Sequence, residues 1–221
     1  MTSNVLIPVV VEKSDNGSER SYDLPSRLMK DQIISIDEGV DENLAKVVGA
    51  QIMYLDSRKN KDILMYITSP GGSVHHGLKI ADQMELARSD IRTICTGYAA
   101  SMGCFLTTMG TPGKRLITRR GVLMAHQVSS GTKGLITDQK IALEHSEYLN
   151  NLLMSEMADR VGVSHAQLVK DCDRDYWLNP TEALNYGKFG FVDGILTGKR
   201  NADGKLEVLR RNGKVEYLGD E

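Results

Sequence analysis

Residues 62–103 read DILMYITSPGGSVHHGLKIADQMELARSDIRTICTGYAASMG, and this stretch decides the fold. Residues 62–67 are apolar and rich in strand formers, and Ser69-Pro70-Gly71-Gly72 cuts them off. From 74 to 87 apolar residues recur at a helical period. A further strand is expected over 91–95, ended by Gly97. From Met102 to Met109 the chain reads as a short apolar helix. Strands alternating with helices point to an α/β fold with a largely parallel sheet.

The alternation continues on both sides. Upstream, 32–36 (QIISI) is a short strand, and 42–56 is a helix with Asp41 as N-cap. Residues 5–11 (VLIPVVV) are β-branched but broken by Pro8, which suits an edge strand or a docking arm. A polar loop follows at 14–20, with a turn at Asn16-Gly17. Downstream, 115–118 and 121–125 are strand-like around a turn at 119–121. A long helix is expected from about Thr137 to Val161, then a short one capped by Ser164. Beyond about residue 198 the chain turns polar, and 206–209 and 214–218 flank Asn212-Gly213 as a hairpin. No internal repeat is present. The organisation expected is an N-terminal segment (1–20), a main domain (21–198) and a C-terminal extension (199–221).

Composition narrows the function classes. The chain has 221 residues, 27 Lys plus Arg against 29 Asp plus Glu, and a net charge of -2. That balance makes no electrostatic case for nucleic acid or an anionic membrane. No apolar run approaches the roughly 20 residues a membrane helix needs. The start, MTSNVLIPVVV, lacks a basic leader and a small-residue cleavage site. Cys95, Cys104 and Cys172 are odd in number and scattered, so they fit neither a disulfide framework nor a zinc site. Buried, reduced thiols in a cytosolic or similarly reducing compartment are expected.

The chemistry is expected just beyond the carboxyl ends of the strands, where α/β sheets place ligands. Gly71-Gly72 closes the first strand, and adjacent glycines let backbone N–H groups approach a bound chain. They suit an oxyanion, or merely a tight turn. Ser101 is a single hydroxyl among small residues at a strand-to-helix junction, in the manner of a nucleophile elbow or of a simple cap. His126 leaves an apolar strand, where a neutral imidazole can exchange a proton with Ser101. A structural histidine is the plain alternative. His75, His76, His145 and His165 read as surface residues. A triad also needs an acid, and Asp171, Asp173 and Asp175 all qualify. Asp175 precedes Tyr176-Trp177, an aromatic pair expected to be buried, where a carboxylate needs a partner.

Five strings, in this order, carry a resemblance: SPGGSV at 69–74, GYAASMG at 97–103, MAHQ at 124–127, DRDYWLNPTEA at 173–183 and VDGIL at 192–196. Together they resemble the proteolytic subunit of the Clp proteases, from about Leu6 to Leu196. The resemblance implies a crotonase-like fold: a head of βαβ units, with a strand and a long helix projecting as a handle over roughly 128–162. It implies Ser101 as nucleophile, His126 as base and Asp175 as orienting acid. It puts the oxyanion donors at the N–H groups of Gly72 and Met102.

Further implications concern assembly. The family forms two stacked seven-membered rings that enclose the sites. An ATP-driven AAA+ ring unfoldase docks outside and feeds in unfolded polypeptide. The subunit itself needs no metal or nucleotide, since ATP is used by the partner. The resemblance places docking at Met53, Leu64, Tyr66 and Leu86, for which a core role is the plain alternative. Asp173 and Arg174 match a pair that couples ring contact to the triad. The N-terminal segment, with VLIPVVVEK at 5–13, is expected to line the axial pore. Little or no propeptide is expected. Location is expected to be cytoplasmic, bacterial or phage-encoded, with an organelle also open.

The chain departs from the family pattern at several places. Val128, Ser129 and Ser130 stand where Pro, Leu and Gly are usual, and Leu135 stands for a handle Gln. Lys188–Phe191 lengthens the usual link, and the C-terminal extension is additional. Two other functions compete. A crotonase-fold enzyme acting on acyl-coenzyme A thioesters would use acidic catalysts in place of a Ser-His pair. A non-catalytic ring subunit would typically lack triad residues, and all three are present here.

Overall fold

The computed structural model describes residues 8–13, 16–58 and 61–218. In chain order the elements are β1 (Val9–Lys13), β2 (Glu19–Asp23), α1 (Leu24–Met29), β3 (Ile33–Ile36), α2 (Glu42–Arg58), β4 (Ile63–Ser69) and α3 (Val74–Leu86). There follow β5 (Ile91–Ala100), α4 (Met102–Thr108), β6 (Leu116–Thr118), β7 (Val122–Ala125) and α5 (Ile136–Val161). Last come α6 (His165–Asp171), β8 (Tyr176–Leu178), α7 (Pro180–Asn185), β9 (Gly194–Arg200), β10 (Leu206–Arg210) and β11 (Val215–Tyr217).

One nine-stranded sheet runs β11-β10-β9-β6-β5-β4-β3, with β7 beside β5 and β8 beside β7. The pairs among β3, β4, β5, β6 and β9 are parallel, as is β5 with β7. The strands β8, β10 and β11 join antiparallel. Asp41 caps α2 as expected, its carboxylate accepting from the Leu44 N–H at 2.8 Å. Ser164 caps α6 in the same way.

Alternation along the strands gives the sheet two apolar faces. Met65, Ile67, Cys95, Ile117 and Ile195 face the main core, packed under the helices. The opposite face carries Ile94, Leu116 and Leu196, flanked by Leu64 and Tyr66. Val208 of β10, with Leu206 and Leu218, closes over that second face. The C-terminal hairpin is therefore part of the sheet. Its turn is tied down by Arg211, which donates to the carbonyls of Lys188, Asn185 and Gly187.

Four expectations need correction. Gly97 does not end its strand: β5 continues to Ala100. Gly97 takes φ +66°, and the register against β4 shifts at this point. Up to Cys95 the strand pairs with β6, and from Tyr98 it pairs with β7. The glycine thus lets one strand change neighbours, where a β-branched residue would have been strained. Secondly, Trp177 is exposed, because β8 alternates and turns Leu178 inward instead. Thirdly, His76 is half-buried, its Nδ1 enclosed without a partner, whereas His75, His145 and His165 are exposed. Fourthly, the helix of the expected handle is α5, but residues 126–135 form no strand. Among the described residues no neighbouring strand offers them a ladder.

The N-terminal reading is split. Residues 9–13 form an edge strand paired with β2 in a separate two-stranded sheet. Residues 1–7 of the expected pore-lining segment lie outside the described residues.

Candidate active site

The site is assembled at the ends of β5 and β7. Ser101 follows the last residue of β5 and precedes the first residue of α4. Its backbone has φ 54° and ψ -120°, a region non-glycine residues seldom occupy. Such a conformation costs about 1–3 kcal/mol and persists only where its surroundings enforce it. Two contacts enforce it here. The Ser101 N–H donates to the Met124 carbonyl of β7 at 2.8 Å. Gly71, at φ +90°, lies so close beneath that a Cβ on it would fall 2.6 Å from the Ser101 Cβ.

The hydroxyl aimed by this turn meets an imidazole. Ser101 Oγ lies 2.9 Å from His126 Nε2. His126 Nδ1 lies 3.1 Å from Asp175 Oδ1. With its proton on Nδ1, the ring donates to the carboxylate and accepts the serine hydroxyl at Nε2. Of the three aspartates left open by the sequence, geometry selects Asp175. Asp171 instead accepts from the Tyr186 hydroxyl, and Asp173 pairs loosely with Arg174 at 3.9 Å.

His126 and Asp175 come from segments far apart in sequence, and ladder bonds bring them together. Ala125 pairs with Tyr176 in the β7–β8 ladder. The Gln127 N–H donates to the Cys172 carbonyl at 3.2 Å, and its side-chain amide to the Asp173 carbonyl at 3.0 Å. Gln127 was not singled out from sequence; its place directly after the histidine in MAHQ was the available signal.

Backbone donors lie alongside. The Val40 N–H donates to the Gly71 carbonyl, and the Ser73 N–H to the Val40 carbonyl, both at 2.8 Å. In such a bridge the Gly72 N–H points away from Val40. Met102 opens α4, so its N–H has no partner within the helix. Gly72, Ser101, Met102 and His126 all line one cavity of about 260 Å³. Its apolar wall comes from Val74, Phe105, Leu153, Met154 and Met157, which sequence reading assigned no role.

The thiols are not rivals to the serine. Burial pushes Cys95 and Cys172 each up to about 12, and Cys104 is raised as well by the same cause.

The four expected docking residues do not meet in one subunit. Leu64 and Tyr66 flank the second face of the sheet. Met53 and Leu86 are 64% and 76% exposed on α2 and α3, over the other face. Asp173 and Arg174 are both exposed beside the site. The inserted Lys188–Phe191 ties the end of α5: the Lys188 and Phe189 N–H groups donate to the carbonyls of Gly162 and Val161. Phe191 is fully buried.

A hydroxyl, an imidazole and a carboxylate in one hydrogen-bonded line, at the carboxyl ends of parallel strands, are the equipment of a serine hydrolase. The Clp protease family model matches residues 16–199. The chain is 42% identical over 192 residues to the ATP-dependent Clp protease proteolytic subunit 2 of Synechococcus sp. (strain CC9605), covering 86% of this chain and 95% of that protein. It is 42% identical over 188 residues to the proteolytic subunit 1 of Prochlorococcus marinus (strain MIT 9312), covering 85% and 96%. It is 43% identical over 194 residues to the proteolytic subunit of Streptococcus pyogenes serotype M5 (strain Manfredo), covering 86% and 97%. The chain belongs to the Clp protease family. Membership does not favour the acyl-coenzyme A and non-catalytic alternatives.

Proposed function

We propose that the chain is the proteolytic subunit of a serine endopeptidase that degrades unfolded polypeptide with the help of an ATP-driven unfoldase. The observation that carries this reading is the unbroken series Ser101 Oγ, His126 Nε2, His126 Nδ1 and Asp175 Oδ1. His126 takes the Ser101 proton as the oxygen attacks a peptide carbonyl. The N–H groups of Gly72 and Met102 hold the oxyanion. Collapse breaks the C–N bond, and His126 returns the proton to the leaving amine. Water, deprotonated by the same ring, then releases the acyl-enzyme. Asp175 keeps the ring in its working tautomer throughout. The apolar wall of the cavity favours an apolar side chain next to the scissile bond.

The subunit works as a homo-oligomer of two stacked seven-membered rings in the cytoplasm, and its own chemistry needs no cofactor. The relatives' description as proteolytic subunits of ATP-dependent proteases supports an assembly with an ATP-driven partner. Exposed Ile136, Ile141, Leu143 and Tyr148 on α5 add an apolar surface suited to subunit contact. Leu64 and Tyr66 of one subunit would then share a docking cleft with Met53 and Leu86 of its neighbour, and Asp173 and Arg174 would face the opposite ring.

The test is cleavage of a short fluorogenic peptide by wild type and Ser101→Ala, with particle mass read by light scattering. A large particle that cleaves, and loses the activity in the variant, is expected. The loss is on the order of a millionfold, as for the nucleophile of the best-studied triad. Hydrolysis retained in Ser101→Ala would sink the assignment.

A further inference from the structure

Two histidines outside the site meet head to head. His75 lies in the first turn of α3, and His145 lies midway along α5. Their Nε2 atoms are 3.3 Å apart. Their ring centroids are 5.3 Å apart and their planes differ by only 15°. The rings therefore approach nitrogen to nitrogen, bent slightly from a straight line. A tetrahedral ion with two imidazole ligands at about 2.0–2.1 Å holds those nitrogens about 3.3–3.4 Å apart. The observed spacing already has that value. Both side chains are exposed in the single subunit.

We propose that His75 and His145 form a clip for a divalent transition metal of the zinc, nickel or copper type. Imidazole nitrogen suits these ions. Among the described residues no third His, Cys, Asp or Glu completes a set. Water therefore fills the remaining positions, and binding is weaker than at a closed structural site. The placement gives the clip a consequence. Helix α3 begins just after Gly71-Gly72, and α5 supplies Leu153, Met154 and Met157 to the cavity wall. A bound ion pins these two walls to each other.

The test is equilibrium dialysis of the assembled protein against Zn²⁺, with metal counted per subunit. Wild type and His165→Ala are expected to bind one ion with the same affinity. His75→Ala and His145→Gln are expected to bind it at least tenfold more weakly. Zinc uptake at wild-type affinity in either of those variants would overturn the clip. So would loss of the ion in His126→Ala alone, which would place it at the triad. The readout does not use peptide cleavage, so its failure leaves the proposed function standing.

Discussion

At Ser101 the backbone itself is part of the chemistry. Its φ of 54° aims the hydroxyl at His126, and Gly71 supplies the space that allows it. Gly71→Ala is expected to lose about 1–3 kcal/mol from backbone strain alone. The added Cβ would also displace Ser101, and a misplacement near 1 Å can cost on the order of a hundredfold in rate. Peptidase kinetics together with a urea melt would detect both losses; a fully active Gly71→Ala would refute the argument. The cysteines give a second expectation at this scale. With Cys95 and Cys172 raised to about 12 by burial, and Cys104 raised too, iodoacetamide should leave the native protein unmodified at neutral pH. Intact mass would show three adducts only after denaturation, and peptidase activity should survive the native treatment. The sequence pointed to Ser101 and His126 through their small and apolar neighbours. It left three aspartates open, because the choice depends on a β7–β8 ladder that joins distant segments. The resemblance, not periodicity, singled out Asp175.

Among elements, the amino ends of the parallel strands are fastened by a charge cluster in which Lys114 pairs with both Asp62 and Asp90. Asp62 accepts from Lys114 at 2.6 Å and from Arg92 at 2.8 Å. Partial burial pushes its carboxyl up, but the hydrogen bonds from Lys114 and Arg92 outweigh this and hold it below the usual range. The folded value therefore lies under the unfolded one, near 3.9. Its contribution is complete above that pH and is lost as pH falls through the folded value. Asp62→Asn should lower the urea midpoint at neutral pH and flatten its decline below about pH 4. Parallel curves for variant and wild type would exclude this role. The long elements were legible: α2, α3 and α5 lie within two residues of their expected bounds, since helical periodicity marks α2 and α3 and a long run free of Gly and Pro, closed by Gly162, marks α5. Gly97 was misread because a glycine in a strand signals an end and a bulge alike. Short α1, β8 and α7 left no periodic trace, and depend on capping by Asp23 and Asn179 and on pairing with β7.

For the molecule as a whole, the C-terminal hairpin matters most, because it lies beyond the part that the family model matches. Its Asn-Gly turn was legible, but its partner was not. Nothing in residues 206–218 says that Val208 will cover Ile94, Leu116 and Leu196. Fully burying one such side chain contributes about 1.5–3 kcal/mol. Truncation after Arg200 uncovers several of them at once, and a loss of about 3 kcal/mol lowers Tm by about 6–12 °C in a chain of this size. An unchanged melting curve would show that the hairpin is dispensable.

The hairpin is also made after every other strand of the sheet it joins. At about 5–20 residues per second, the stretch from Asn201 to Leu218 takes roughly one to four seconds to be added. For that interval the nascent subunit carries an open apolar face, sticky to chaperones and to its own copies. Completion of the sheet is thereby tied to synthesis of β10 and β11, and a product cut short before them is marked by exposed Ile94 and Leu196.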